Sequence, residues 1–305
     1  MKHIKTILLS LSIFPLFLAS QETETDTIPN IPIDSVLVGF QEIEEEKTPD
    51  KPERPAFESS FIIDNPTNVL FGKKSMEMQI KHRFGVVNSG NNDLFGIWAP
   101  GNIHIGLSYA FFNGLTVGFN TVKFNRMQDF NMKLSLLRQT RSGKVPFSIS
   151  YYGNFVIDAR KAELFNTDSD RFSFFHQVSI ARRFSPNFSL QVAPNVSHFN
   201  LVEPGLENDV FGLSVGGRIK ISPQTAILFD YSQPFTNYAE LDGVDINPKP
   251  GASLGIEFST AGHAFQLLIS NYDGIVPQRN YVFNQNDFFK GDILIGFNIT
   301  RLYKF

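Results

Sequence analysis

The sequence predicts an all-β protein, a transmembrane antiparallel β-barrel of about 12 strands with short periplasmic turns and long extracellular loops. Three observations lead to this prediction. The chain starts with a short apolar segment of the kind that directs export. A dozen later segments alternate apolar and polar residues, and the links between those segments alternate between short and long.

Residues 1–20 have the pattern of a secretory signal peptide. Two lysines precede a short apolar stretch, residues 7–18, and the small residues Ala19 and Ser20 follow it. The stretch is shorter than the ~20 apolar residues that a membrane-spanning helix needs. We therefore expect this segment to direct export and to be cleaved before Gln21.

Residues 21–58 differ sharply in composition from the rest of the chain. They contain 11 acidic residues, 3 basic residues and 5 of the 17 prolines. Such a segment buries too little apolar surface to offset the entropy lost on ordering. We predict an acidic, disordered periplasmic extension, followed by the barrel domain over residues 59–305.

The barrel prediction rests on period-two alternation. In residues 75–86, for example, Met78 and Ile80 alternate with Gln79 and Lys81, which places apolar and polar side chains on opposite faces of one strand. The polar face is rich in small hydrophilic residues, as a water-filled lumen requires. The segments that alternate in this way are about residues 75–86, 103–109, 115–120, 130–136, 147–155, 172–180, 188–192, 211–219, 226–232, 252–258, 264–270 and 292–300.

The links between these segments separate a membrane barrel from a soluble β-sandwich. Every second link is a tight turn rich in Gly, Pro, Asn and Ser, whereas most of the others are long and polar, apart from a short one near residues 125–128. Bacterial outer-membrane barrels have this arrangement, with the short turns in the periplasm. We expect the long links, including Asn247 and Asn280, to be accessible from outside the cell.

Strand parity points ten charged side chains toward the lumen. Six are basic and four acidic, which predicts a mildly cationic lining that favours anions. Three of the basic residues fall near the periplasmic end, so a second hypothesis is that the acidic segment 21–58 folds back there and reduces conductance. The ten lumen-lining candidates are Glu77, Lys81, Arg83, Lys133, Arg183, Arg218, Lys220, Asp230, Glu257 and Asp292.

The C-terminus predicts how the barrel is assembled. The last strand closes on Tyr303 and a terminal Phe305, which resembles the signal read by the outer-membrane barrel-assembly machinery. We therefore expect two kinds of partner, this machinery and the lipid of the outer membrane, and we expect the protein to lie in the bacterial outer membrane.

Five short stretches spread over residues 75–305 carry a resemblance to known proteins. They are His82-Arg83-Phe84-Gly85, Leu94-Phe95-Gly96, Ile105-Gly106-Leu107-Ser108-Tyr109, Thr260-Ala261-Gly262-His263-Ala264-Phe265-Gln266 and Gly296-Phe297-Asn298-Ile299-Thr300-Arg301. Through them the chain resembles the uncharacterised β-barrels that Bacteroidota-type bacteria export and that are known only as a domain of unknown function. The resemblance implies a barrel fold and no particular activity, and it does not include the acidic segment 21–58.

The sequence argues against several classes of chemistry. The chain has no Cys, which excludes disulfide scaffolds, zinc–cysteine modules and iron–sulfur clusters. Its net charge of −3 argues against a general nucleic-acid binder. The six histidines lack the spacing of a metal site, and no Gly-rich phosphate loop precedes a helix. We predict no metal, no cofactor and no catalytic residue.

Three functions remain open at this point. The first is a narrow channel, or a barrel that binds and transports a small solute. The second is a non-conducting barrel that anchors a periplasmic protein through residues 21–58. The third, which we favour least, is a lipase-like enzyme. The only close arrangement of Ser, His and Asn is Ser197-His198-Phe199-Asn200, which falls at a predicted loop.

Overall fold

A computed structural model of the protein describes residues 50–305. The predicted signal peptide and residues 21–49 of the acidic extension lie outside the described residues. The described chain begins with a small hairpin of two strands, each two residues long. Twelve long strands follow, and one short α-helix lies between the last two of them. None of the helices in residues 50–305 is long and apolar enough to cross a bilayer.

The elements have the following bounds. The hairpin is β1 (Phe61–Ile62) and β2 (Asn65–Pro66), and the helix is α1 (Pro277–Phe283). The long strands are β3 (Ser75–Val86), β4 (Asn102–Phe112), β5 (Leu115–Val122), β6 (Gln128–Leu137), β7 (Ser148–Ile157), β8 (Phe172–Arg183), β9 (Phe188–Phe199), β10 (Asp209–Lys220), β11 (Thr225–Phe235), β12 (Gly251–Thr260), β13 (His263–Ser270) and β14 (Leu294–Lys304). Short 3₁₀ turns occupy Val87–Ser89, Asn91–Asp93, Phe124–Arg126, Ala162–Leu164, Asp168–Arg171 and Phe288–Lys290.

Strands β3 to β14 form a closed antiparallel barrel, as the sequence predicted. Each strand pairs with its neighbours in the chain, and β14 closes the barrel by pairing with β3, where Lys304 lies opposite Ser75. Closure leaves no free sheet edge, so the backbone N–H and C=O groups of the wall are satisfied within it.

The two faces of the wall differ as the alternation predicted. The outward side chains are large and apolar, and Ile105, Leu107, Leu254 and Phe258 are each 49% exposed. Side chains of the intervening positions, such as Ser108, are buried inside the barrel. An apolar belt of this kind on an otherwise closed fold is the surface that faces lipid.

The connections also follow the predicted order. Tight turns link β4 to β5, β8 to β9, β10 to β11 and β12 to β13, and a turn of ten residues links β6 to β7. The long links lie at the other end of the barrel, again with one short exception between β5 and β6. By the rule for outer-membrane barrels, the short-turn end is periplasmic and the long-loop end extracellular.

The lumen is filled rather than open, which corrects the expectation of a water-filled interior. Residues 56–69, called the plug below, run inside the barrel instead of extending its wall. Ile62 and Ile63 are buried in an apolar cluster with Leu228 and Leu268 of the wall. Residues 59–69 of the plug carry no strand-length alternation, so the sequence pattern assigned them to the barrel domain without placing them inside it.

The segment leading to the plug is also ordered where it is described. Residues 50–58 were predicted to belong to the disordered extension, yet residues 50–53 lie against the turn between β6 and β7, and residues 56–58 begin the plug. The backbone N–H of Glu53 donates to the carbonyl of Gln139 (2.7 Å), and that of Arg141 donates to the carbonyl of Lys51 (3.0 Å). The boundary predicted at residue 58 is therefore too late in the chain.

Helix α1 enters the barrel from the opposite end. It belongs to the long link between β13 and β14 and contacts β8, β9, β10 and β11. Tyr281 and Val282 pack with Phe61 of the plug in one apolar cluster. Asn280, which we expected to be accessible, is 3% exposed, because the loop folds into the barrel rather than away from it.

Candidate functional site

Most of the charged residues predicted to face the lumen do lie inside the barrel. Their alternating positions place them on the inner face, where the plug covers them. The structure buries Glu77, Lys81, Arg83, Lys133, Arg218, Asp230 and Glu257.

Three of the predicted lumen residues lie elsewhere. Arg183 and Lys220 are half-buried at the periplasmic ends of their strands. Asp292 precedes β14 and belongs to the extracellular loop, where its carboxylate accepts hydrogen bonds from Asn88 Nδ2 (2.9 Å) and from the N–H of Asp287 (3.0 Å). The prediction for Asp292 was wrong because β14 begins two residues later, at Leu294.

The buried charges of the wall contact the plug. The guanidinium of Arg83 forms an ion pair with Asp64 of the plug (2.7 Å), and both side chains are almost fully buried. Asn65 of the plug donates to Asp230 (3.0 Å). These wall charges therefore do not line an open pore; they hold a polar turn of the plug in place.

Two further charges of the wall interact with the start of the plug. The hydroxyl of Ser60 donates to the Glu77 carboxylate (2.6 Å). The ammonium of Lys81 lies 3.2 Å from the centre of the Phe61 ring, a cation–π contact. The shorter of the two ion pairs of Arg218, which lies on β10, is with another wall residue, Glu257 of β12 (2.8 Å).

The wall also binds the backbone of the plug. The side-chain amides of Gln177 and Gln191 both donate to the carbonyl of Pro66 (2.8 Å each). Buried backbone carbonyls need such donors because no water reaches them. Three further donors of the wall serve the same purpose: Lys133 to Ser60 (2.8 Å), Gln266 to Phe61 (3.0 Å) and Asn298 to Ile63 (2.9 Å).

Inward glycines make room for the inserted elements. A Cβ atom at position 216 would lie 2.9 Å from Cγ2 of Ile62, and one at position 212 would lie 2.4 Å from the ring of Tyr281. From the sequence alone, the inward glycines of the strands are interpreted as lumen spacers and bend points. They mark where the plug and α1 press against the wall.

Two acidic side chains lie at the periplasmic rim. Glu53 lies 3.9 Å from Arg183, and Glu58 lies 3.9 Å from Arg218. Both distances are long for ion pairs and both acids are partly exposed, so each pair stabilises the structure only weakly. Two of the basic residues near this end therefore have acidic neighbours from residues 50–58.

A large cavity opens at the extracellular end, above α1. Its volume is about 790 Å³, within the range of small-molecule sites. The residues around it come from α1 and from the links after β5, β7, β9 and β11. We call this cavity the outer vestibule. The sequence did not predict this cavity, because its walls come from loops that are distant in the chain. The aromatic residues Phe124 and Phe165 in those otherwise polar loops were the signal that could have indicated it.

The arrangement around His198 bears on the lipase hypothesis. Nδ1 of His198 lies 2.7 Å from the Asp209 carboxylate, and Nε2 lies 2.9 Å from Oδ1 of Asn200. The adjacent Ser197 is fully buried inside the barrel, on the other face of the strand. Nucleophilic catalysis needs the hydroxyl within hydrogen-bond reach of the imidazole. Both ring nitrogens of His198 instead contact other residues.

The two residues of the predicted assembly signal end the last strand. Tyr303 pairs with Met76 across the seam between β14 and β3, and its ring lies 4.8 Å from the guanidinium of Arg301. Phe305 is 75% exposed, and its N–H donates to the carbonyl of Lys74 (3.0 Å).

Comparison with solved structures identifies the architecture. The chain is similar to an outer-membrane channel from Pseudomonas putida F1, with 8% identity, a TM-score of 0.50, and coverage of 77% of this chain and 97% of that one. The NanC porin (9% identity, TM-score 0.46, 75% and 99% covered) and the KdgM porin (8%, 0.43, 76% and 99%) are more distant in shape.

Comparisons of the sequence identify the family. A search of curated proteins found no similar sequence. A family model described as a membrane bound beta barrel domain matches residues 57–303, which includes most of the plug and the whole barrel. With the closed barrel and its apolar belt, these matches place the protein in the bacterial outer membrane, and the chain belongs to the family Membrane bound beta barrel domain (DUF5777).

Proposed function

We propose that the protein is a solute channel of the outer membrane whose lumen is closed by the plug and opens when the plug moves. The porin-like barrel supports a channel-type role, and the contacts inside the lumen support closure by a displaceable segment. The plug precedes the first wall strand and takes no part in the wall's hydrogen-bond ladder. Its movement therefore leaves the barrel intact.

One observation carries the proposal: the wall holds the plug through polar side chains. Gln177, Gln191, Gln266, Asn298 and Lys133 all donate to plug carbonyls. Water solvates such groups well once the plug leaves, so the empty lumen is polar and hydrated. A barrel built only for rigidity fills its interior with its own wall side chains.

The closed state is strongly favoured in this proposal. Ile62 and Ile63 are 1% and 0% exposed, and burying two such side chains stabilises the closed state by about 3–6 kcal/mol. Openings of the isolated protein should therefore be rare. A solute or a periplasmic partner that binds the displaced plug would raise their frequency by shifting the population.

A second candidate is a non-conducting barrel that anchors a periplasmic protein through residues 21–58. The filling of the lumen favours it, since the cavity between the plug and α1 has a volume of only about 10 Å³. An enzymatic role is not part of our proposal, because His198 lacks a hydroxyl partner.

A reversible lock tests the channel proposal. Position 216 lies close enough to Ile62 that Cβ atoms of two cysteines there would be about 4.4 Å apart or less, which suits a disulfide. Because the chain has no Cys, the variant Ile62→Cys/Gly216→Cys holds the only two thiols. Planar-bilayer recordings of it should show no openings when oxidised and, when reduced, openings at least as frequent as those of the parent, because Cys buries less apolar surface than Ile62 does.

A plug-weakened variant and single-cysteine controls complete the experiment. Asp64→Ala/Asn65→Ala removes the two side chains that bind Arg83 and Asp230 and should make openings frequent. Ile62→Cys alone and Gly216→Cys alone should be insensitive to the oxidant. A folded, inserted Asp64→Ala/Asn65→Ala variant that gives a silent membrane would overturn the channel proposal in favour of the anchor.

A further inference from the structure

The outer vestibule combines an apolar wall with basic side chains. Phe199 and Phe283 meet edge to face on one side of it, with ring centres 4.9 Å apart. Leu201, Leu206 and Val282 also line the cavity. An apolar pocket with a few convergent polar groups is the usual form of a small-molecule site.

The acidic groups of the vestibule already have partners. Asp158 forms a bidentate ion pair with Arg160, in which the shortest N–O distance is 2.8 Å. Asp245 pairs with Lys249, which holds the pKa of that carboxyl below its usual value. Asp170 caps a 3₁₀ turn, and hydrogen bonds from Thr167 lower its pKa. The remaining acid, Glu203, is exposed.

Two arginines of the vestibule carry guanidinium donors that have no such partner. Nε and Nη2 of Arg171 and Nε of Arg279 are buried without a hydrogen-bond acceptor. Arg279 lies over the Phe124 ring at 3.8 Å and Arg171 over the Phe165 ring at 4.9 Å. Nη2 of Arg279 forms a long ion pair with Asp273 (4.0 Å), which leaves Nε without a partner. Burying unsatisfied guanidinium donors is costly, so an anion that accepts from them is stabilised.

We propose that the outer vestibule is a binding site for an amphipathic carboxylate, a molecule with an apolar body and one carboxylate group. The guanidinium groups of Arg171 and Arg279 receive the carboxylate, and the aromatic and aliphatic side chains around Phe199 and Phe283 hold the apolar body. A neutral amide of the same shape offers these donors only an uncharged carbonyl oxygen, which forms a weaker hydrogen bond than a carboxylate does, so it binds less tightly.

This proposal concerns binding, and it becomes a substrate class only if the proposed channel function also holds. Helix α1 forms the floor of the vestibule through Arg279, Val282 and Phe283. On the side of α1 that faces the plug, the hydroxyl of Tyr281 accepts a hydrogen bond from Asn195 of the wall (2.9 Å). A ligand that reaches the lumen must therefore displace α1. Binding at the vestibule requires no such movement.

Calorimetric titration of the mature protein in detergent tests the site. The probes are 2-naphthoate and the neutral 2-naphthamide, which share size and apolar surface. We expect saturable binding of naphthoate and at least about tenfold weaker binding of the amide, as the loss of a charge-assisted hydrogen bond implies. Arg171→Met and Arg279→Met should each weaken naphthoate binding by about tenfold and weaken amide binding by less, because the neutral amide loses only an uncharged hydrogen bond.

The matched control is Arg138→Met, which removes an exposed arginine at the periplasmic end and should bind naphthoate as the parent does. Unheated gel mobility confirms that each variant is folded. If an arginine variant fails to fold, Leu201→Trp fills the vestibule from a residue that is 43% exposed and should abolish binding of both probes.

Equal affinity for naphthoate and naphthamide, or naphthoate binding unaffected by the vestibule variants, would overturn the proposal. This outcome is separate from failure of the channel, because the disulfide lock is recorded without any ligand. A silent plug-weakened variant that still binds naphthoate would leave the site standing and remove the transport role.

Discussion

At the scale of single residues, the inner face of the wall is adapted to particular neighbours. Gly212 faces the ring of Tyr281, and Gly216 faces Ile62. The amides of Gln177 and Gln191 converge on one carbonyl, that of Pro66. Any small or polar residue would suit the inner face at these positions. The particular residue found at each of them is explained by the group that it contacts.

The contact at Gly212 predicts how α1 is held. Gly212→Val keeps an ordinary strand backbone, but its side chain would overlap the Tyr281 ring, since a Cβ atom already lies 2.4 Å from it. We expect α1 to be displaced and the link between β13 and β14 to become sensitive to external protease on intact cells. Tyr281→Ala in the same chain should restore resistance. Unchanged protease resistance in Gly212→Val alone would show that α1 does not depend on this fit.

The buried ion pair predicts what holds the plug. Asp64→Ala leaves the fully buried Arg83 without its carboxylate, and removing one partner of a buried pair costs about 3–5 kcal/mol. Because the wall is closed without the plug, we expect release of the plug rather than unfolding. Proteinase K should cleave within residues 50–74 of the detergent-solubilised variant.

The control for this experiment is Glu58→Gln. Glu58 is partly exposed and 3.9 Å from Arg218, so its loss should change the stability by at most about 1 kcal/mol. Equal cleavage of Asp64→Ala and Glu58→Gln would mean that the ion pair with Arg83 does not secure the plug.

At the scale of elements, the last strand closes the barrel and also carries the predicted assembly signal. Tyr303 and Lys304 pair with Met76 and Ser75 of the first wall strand. The exposed Phe305 adds only a backbone hydrogen bond to this seam. Strand pairing and the predicted recognition therefore involve different atoms, and mutation can test them separately.

Removal of Tyr303–Phe305 should reduce the folded, heat-modifiable form of the protein in the outer membrane, because it removes both the end of the seam and the terminal aromatic residue. Phe305→Ala keeps the seam and removes only the ring. We expect Phe305→Ala to lower the amount of the folded form as well, though by less than the truncation does. Full assembly of Phe305→Ala would assign the effect to strand pairing, and full assembly of the truncated chain would exclude both roles.

At the scale of the whole molecule, short turns at one end and long loops at the other set the orientation. Two glycines offer matched insertion sites. Gly143 lies in the ten-residue turn between β6 and β7 at the short-turn end, and Gly243 lies in the link between β11 and β12 at the long-loop end. Both have positive φ (79° and 76°) and nothing within 4 Å of a Cβ atom.

A protease site inserted after Gly243 should therefore be cleaved on intact cells, and one inserted after Gly143 should be cleaved only after the outer membrane is permeabilised. Western blotting of the fragments gives the result. The opposite pattern would reverse the orientation and place the outer vestibule in the periplasm.

The sequence by itself determined the barrel. The alternation in residues 75–86 recurs in strand after strand, and the face on which a side chain lies depends only on its position within its own strand. The order of short and long links is equally local. Twelve strands, their closure and the inward side of residues such as Glu77 and Glu257 could therefore be predicted.

Only the tertiary structure decided what fills the barrel. Ile62 and Ile63 meet Leu228 and Leu268, more than 160 residues away in the chain, and no periodicity encodes such a contact. The same holds for Arg171 and Arg279, which reach one vestibule from different loops. Strand pairing repeats a local rule, whereas the plug and the vestibule depend on contacts between side chains that are distant in the chain.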